Sequence, residues 1–162
     1  MTENCKWVLF LCTGNYYRSR FAEELFNHLA EQEELPWRAF SRGSAERGAL
    51  ENTGPISGFA LEGLQALGIS PKGADKFPQA CSLADFSQAD VVIGLKEAEH
   101  RSMIERHFPA VADRVLYWQV DDIDVAQPSD ALPHLTQMVT NLIAISRQPA
   151  VLKGHAESLR KE

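Results

Sequence analysis

The 162-residue sequence predicts one three-layer α/β domain, a doubly wound, four-stranded parallel sheet with helices on both faces. Three observations lead there. The apolar runs at 8–11 and 89–95 are continuous rather than alternating, the mark of strands covered on both faces. Stretches with apolar residues at helical spacing separate one run from the next. Strands joined by helical crossovers must then run parallel.

The first strand, 8–11, leads into Cys12-Thr13-Gly14-Asn15-Tyr16-Tyr17-Arg18-Ser19, a loop, and then into a helix whose inner stripe is Phe21, Ala22, Leu25, Phe26 and Leu29. The second strand is expected over 35–41, with Pro36 at its start. Turn signals at Gly48 and Asn52-Thr53-Gly54-Pro55 make 46–55 a loop. Ser57 is placed to cap a helix carrying Phe59, Ala60, Leu61, Leu64 and Leu67, and Gly68 ends it. A short helical turn follows at 81–86, then the strand at 89–95, a charged helix over 96–107, and a last strand over 115–120. Leu132, Leu135, Met138, Val139, Leu142 and Ile143 form one face of the final helix, with Pro133 expected in its first turn. The domain is expected to span 1–147, with 148–162 a loose tail.

Composition is that of a globular chain, 44% hydrophobic and 23% charged. A net charge of −6 argues against nucleic-acid and anionic-membrane surfaces as partners. No apolar run reaches the roughly 18 residues of a membrane span, and residues 1–6 carry no secretory pattern. Three widely spaced cysteines make neither a disulfide framework nor a zinc site, so free thiols in a reducing cytoplasm are expected. The five histidines, His28, His100, His107, His134 and His155, show no metal or catalytic-pair spacing and are read as surface or helix-face residues. No metal or cofactor is implied.

The loop after the first strand carries the chemistry. A strand end that opens into a helix N-terminus is an anion site, because the free N–H groups of the first turn and the helix dipole both favour negative charge. Gly14 and Asn15 both tolerate left-handed backbone angles, which lets successive N–H groups curl around an oxyanion. Cys12 and Arg18 close the two ends of the loop. A thiolate is the nucleophilic form of cysteine, and helix N-termini and neighbouring cations favour it. The planar fork of Arg18 matches two oxygens of a phosphoryl group. Ser19 is placed to cap the helix and to donate a hydrogen bond to the sulfur.

The stretch from Val8 to Ser19 resembles the signature of the low-molecular-weight protein tyrosine phosphatases and the related thioredoxin-coupled arsenate reductases, V-L-F-[VL]-C-x-G-N-x-C-R-S-[PQ]. Tyr17 stands where the pattern has a second Cys, and Arg20 where it has Pro or Gln. Weaker similarity extends to about residue 147. The resemblance implies phosphomonoester hydrolysis, most directly of protein phosphotyrosine, through a phosphocysteine on Cys12, with Arg18 binding the phosphoryl group. Thr13, Gly14, Asn15, Tyr16, Tyr17 and Ser19 would line the substrate site. Tyr16 is also an aromatic wall for an aryl group. Ser41 falls where family members use a serine to brace the loop. Relatives often carry, near Pro71-Lys72-Gly73, a His bonded to the loop Asn, and this chain has none there.

Such chemistry needs a carboxylic acid to protonate the leaving oxygen and then activate water. The segment after the last strand, Asp121-Asp122-Ile123-Asp124, supplies it at the same sheet end as Cys12. Against the family's Asp-Pro, Asp122 is the match, with Asp121 and Asp124 as neighbours that could replace it; Ile123 stands in place of the Pro and Asp124 in place of a following Tyr. Two other readings remain open: arsenate reduction resolved by an external thiol, since Cys81 has no cysteine partner nearby, and a non-catalytic phosphate-binding module. The expected partners are a phosphorylated protein or small phosphomonoester substrate, with no nucleic acid or membrane, and the protein is expected to be a monomer.

Overall fold

The computed structural model describes residues 5–44, 54–122 and 126–147. Four parallel strands, β1 (Lys6–Cys12), β2 (Trp37–Gly43), β3 (Val91–Gly94) and β4 (Val115–Tyr117), lie side by side in the order β2-β1-β3-β4. The helices are α1 (Arg18–Gln32), α2 (Gly58–Ala66), α3 (Leu83–Gln88), α4 (Glu97–His107) and α5 (Pro128–Ser146), with a 3₁₀ turn at Ala112–Arg114. The predicted architecture is the one observed.

The two faces of β1 belong to two cores. Val8, Phe10 and Cys12 pack with Phe21 and Phe26 of α1, Leu64 of α2 and Leu135 and Val139 of α5. Leu9 and Leu11 pack with Phe86 of α3 and Ile104 of α4. Residues 8–11 are wholly buried, which is why their apolar run does not alternate. Burying each phenyl ring of α1 contributes about 2–3 kcal/mol. β2, an edge strand of the sheet, does alternate: Ala39, Ser41 and Gly43 are buried while Arg38, Phe40 and Arg42 are half-exposed.

Several element ends differ from expectation for identifiable reasons. β2 is shifted by two residues from the expected 35–41: it starts at Trp37, leaving Pro36 just before it, and ends at Gly43, because β1 offers a partner at every position from Lys6↔Trp37 to Cys12↔Gly43. β4 stops at Tyr117 rather than 120, because β3, its strand partner among the described residues, ends at Gly94. Beyond that point the chain makes a single antiparallel bridge, Lys96↔Gln119, and Val120 N donates to Leu95 O at 2.7 Å. α5 begins at Pro128, so that residue takes the N-terminal position that suits proline, and Pro133 lies inside the helix rather than in its first turn. Ser57 caps α2 as expected, accepting from Phe59 N at 3.2 Å. Gly68, at φ 75°, ends that helix, with Gly68 N bonded to Gln65 O and Ile69 N to Leu64 O. The predicted loop at 46–55 and the tail at 148–162 fall wholly or mostly outside the described residues.

β1 is the point from which the chain winds in both directions. Its α1 crossover leads to β2 on one side, while β3 and α4 lie on the other. In open α/β sheets, the crevice at such a switch point, outside the carboxyl ends of the strands, is where ligands bind. Cys12 is the last residue of β1, and α4 opens three residues after β3 ends.

Candidate active site

The loop from Cys12 to Arg18 is held by side chains rather than by regular structure. Asn15 is its pivot. It is 1% exposed and takes a left-handed φ of 51°. Gly14, the other residue expected to do so, does not have positive φ. Asn15 Nδ2 donates to Ser19 Oγ at 3.0 Å and to Ser41 Oγ at 2.8 Å, and its Oδ1 accepts from Gln79 N at 2.9 Å. A backbone amide thus does the work of the absent histidine, and Ser41 braces the loop as the family pattern implied. Ser41 Oγ in turn donates to Glu23 Oε1 at 2.5 Å. Under the loop, a Cβ on Gly43 would stand 2.8 Å from Thr13 O, so only glycine lets β2 lie this close to the loop backbone.

Cys12 Sγ lies 2.9 Å from Ser19 Oγ. Ser19 also accepts from Asn15, and its hydroxyl proton is free to be donated to the sulfur, the direction that would stabilise a thiolate. Ser19 does not cap α1, contrary to expectation. The cap position is Tyr17, without a side-chain bond, and Ser19 is the second residue of the helix. The Tyr17 ring packs in the core at 6% exposure with its hydroxyl unpaired, and burial raises its pKa. The structure therefore places Tyr17 beneath the loop, whereas Tyr16 is half-buried and sits where α2 begins, its carbonyl accepting from Ser57 N at 3.0 Å.

Arg18 is 1% exposed. Its Nη1 donates to Val120 O at 3.0 Å and to Glu99 Oε2 at 3.1 Å, and its Nη2 to Glu99 Oε1 at 2.7 Å. Asp122 Oδ2 lies 3.2 Å from Nη2. Nε has no partner. A buried donor left unsatisfied costs about 1–3 kcal/mol, so this edge is primed for an acceptor. Asp121 turns the other way, pairing with Lys96 Nζ at 2.9 Å. Of the two described candidates for the acid, Asp122 is the one at the arginine; Asp124 lies outside the described residues.

Sequence reading missed Glu99 and His100. Both stand in the first turn of α4, Glu99 half-exposed and His100 fully buried, which corrects the surface reading of that histidine. Thr13 Oγ1 donates to Glu99 Oε1 at 2.5 Å and lies 3.1 Å from His100 Nε2. Lys96 N donates to His100 Nδ1 at 3.2 Å, so Nδ1 carries no proton and Nε2–H faces Thr13. Burial works to raise the Glu99 pKa, but hydrogen bonds from His100, Arg18 and Thr13 outweigh it and hold the carboxyl well below the usual carboxylate range. The available signal was topological: α4 follows the strand that neighbours β1, so its first turn borders the crevice.

Arg20, where the family pattern has Pro or Gln, is also fully buried. It pairs with Glu23 and with Glu24, the latter at 3.1 Å, and donates to Gly73 O at 2.5 Å. Among the described residues, no group of three or more His, Cys, Asp or Glu could hold a metal ion, and no helix is long and apolar enough to cross a membrane. Cys5, Cys12 and Cys81 are free thiols.

Known proteins resemble this chain in sequence and in fold. Residues 7–143 match the family model described as low molecular weight phosphotyrosine protein phosphatase. The low molecular weight protein tyrosine phosphatase from T. tengcongensis is similar at 27% identity and TM-score 0.72, covering 86% of this chain and 98% of that one. A low molecular weight protein tyrosine phosphatase from Bacillus subtilis aligns at 23% identity and TM-score 0.69, over 88% and 99%. YwlE, an arginine phosphatase, aligns at 20% identity and TM-score 0.73, over 90% and 99%. Comparison with curated proteins gives no match. With the family model spanning most of the chain and the loop built as described, this chain belongs to the low-molecular-weight phosphotyrosine protein phosphatase family and is a phosphatase.

Proposed function

We propose that the protein hydrolyses phosphomonoesters, with protein phosphotyrosine as the substrate class, through a phosphocysteine on Cys12. The observation that carries this reading is the meeting, at one sheet end, of Cys12 Sγ with its Ser19 donor, the unpaired Nε of buried Arg18, and the Asp122 carboxyl. The Cys12 sulfur attacks phosphorus as the bond to the leaving oxygen breaks, and Asp122, protonated, gives that oxygen its proton. Water then attacks phosphorus, Asp122 takes the proton, and the S–P bond breaks to release inorganic phosphate. Arg18 and the loop amides stabilise the equatorial oxygens throughout, which matters most in a reaction whose transition state is mainly a problem of charge and position. Tyr16, half-buried in the loop, is the surface this reading assigns to the aryl group of the substrate.

Steady-state hydrolysis of p-nitrophenyl phosphate and of an alkyl phosphate tests the proposal. Cys12→Ser abolishes turnover of both. Asp122→Asn lowers kcat by roughly 10²–10⁴-fold on the alkyl ester and much less on p-nitrophenyl phosphate, whose leaving group needs little protonation. Turnover surviving in Cys12→Ser removes the phosphocysteine route, and anion binding without turnover in the wild type leaves a binding module.

A further inference from the structure

The donors of Arg18 are unequally committed. Glu99 grips both terminal nitrogens, Oε1 on Nη2 and Oε2 on Nη1, and Val120 O takes a second bond from Nη1. The remaining edge of the guanidinium is the one formed by Nε and Nη2. On it Nε is buried without a partner, and the other contact is Asp122 on Nη2 at 3.2 Å. An arginine gripped at its tip presents its side edge, and two N–H groups on that edge match two oxygens of a tetrahedral oxyanion. Glu99 is itself fixed: Thr13 donates to it from within the loop, and His100, held by the Lys96 amide, lies against both. The third position of α4 also suits a carboxylate, near the positive end of the helix dipole.

From this arrangement we infer that Glu99 is a positioning residue for the oxyanion site. It clamps the end of Arg18 so that the Nε–Nη2 edge meets the phosphoryl group, and Asp122 yields its place on Nη2 when that group arrives. The inference rests on the phosphatase reading above for its catalytic consequence, but not for its binding consequence. Thr13 and Arg18 share Glu99 Oε1, so the same carboxylate that orients Arg18 also ties down the start of the loop. An alternative role is distinguishable by sign. If Glu99 merely competed with oxyanions for Arg18, removing it would tighten their binding.

Orthovanadate and inorganic phosphate binding, measured by calorimetry and as inhibition of p-nitrophenyl phosphate turnover, test this in wild type, Glu99→Gln and Glu99→Ala. Glu99→Ala weakens both anions by about tenfold or more and lowers kcat by roughly 10–100-fold, the scale of a misplaced binding group. Glu99→Gln keeps one acceptor oxygen and loses less in both quantities. Thermal unfolding shows that the variants are folded. Vanadate bound as tightly as in wild type, or more tightly, by Glu99→Ala overturns the inference. Should Glu99→Ala fail to fold, unchanged kcat and anion binding in the isosteric Glu99→Gln overturn it equally. A wild type that binds vanadate but turns over no ester refutes the phosphatase reading alone, and the calorimetric comparison still decides the role of Glu99.

Discussion

Asn15 Nδ2 reaches Ser41 Oγ across 2.8 Å, tying the phosphate loop after β1 to the strand beside it. Ser41 hands the bond on to Glu23 of α1, and Glu23 is held by Arg20 and, at 2.8 Å, by Lys76. The Cys12 loop is thus anchored, through Asn15 and Ser41, to the Arg20–Glu23 ion pair buried on the first helix. Catalytic geometry and fold stability are joined at Asn15.

Replacing Asn15 separates backbone from bracing. Asn15→Gly accepts φ 51° without strain but loses the bonds to Ser19, Ser41 and Gln79. Asn15→Ala loses the same bonds and adds about 1 kcal/mol of left-handed strain. Both should lower kcat/KM for p-nitrophenyl phosphate by roughly 10–100-fold. Only the alanine variant should show the further drop in thermal midpoint. Equal midpoints would mean that the bonds, not the backbone angle, set the stability of the loop.

Arg20→Met should destabilise the fold by about 3–5 kcal/mol, because it leaves the carboxylates of Glu23 and Glu24 buried with fewer partners. Urea unfolding reads this directly. The residual partners, Lys76 for Glu23 and the amides of Lys72 and Gly73 for Glu24, set the low end of the range. An unchanged midpoint would mean that those partners suffice.

Glu99 carries a pH signature. Its folded-state pKa lies below that of the unfolded chain, about 4.3 for a glutamate, so its contribution to stability is present above that pH and fades as pH falls towards the folded value. The urea midpoint of the wild type should exceed that of Glu99→Gln above about pH 5, and the two should converge as the solution is acidified below about pH 4. A gap that widened on acidification would reverse the sign and the assignment.

Oxidation of Cys12 should be hard to reverse. Cys81 packs against the core on the opposite face of the sheet, and burial, with Asp85 nearby, pushes its thiol up to about 12. Cys5 precedes a seven-residue strand and is about 20 Å away along it. Neither is placed to trap a sulfenic acid on Cys12, and Tyr17 occupies the family's cysteine position. After prolonged peroxide, dithiothreitol should restore little activity, phosphate should protect, and a peptide digest should show sulfinic acid on Cys12. Full recovery with a Cys12–Cys81 bridge would overturn this.

The sequence alone determined the fold class and the loop. Continuous apolar runs mean strands covered on both sides, helical spacing means crossovers, and the Cys-to-Arg loop with its Gly-Asn centre lies within eight consecutive residues, so local pattern carries it. That Asp122 and Ser41 lie at the same end of the sheet as Cys12 was legible, because Ser41 is near the end of β2, Asp122 follows β4, and all parallel strands end on one side. What the sequence left undecided depends on neighbours far along the chain. The ends of β2 and the length of β4 were misjudged because pairing, not propensity, sets where a ladder starts and stops. Asn15 finds Gln79 in place of a histidine because a backbone amide carries no residue signature. Glu99 and His100 read as members of a charged, solvated helix until the strand order set α4 beside β1. Only then does a carboxylate 81 positions from Arg18 become its closest partner, since that contact is made by the order of strands in the sheet and by no local pattern.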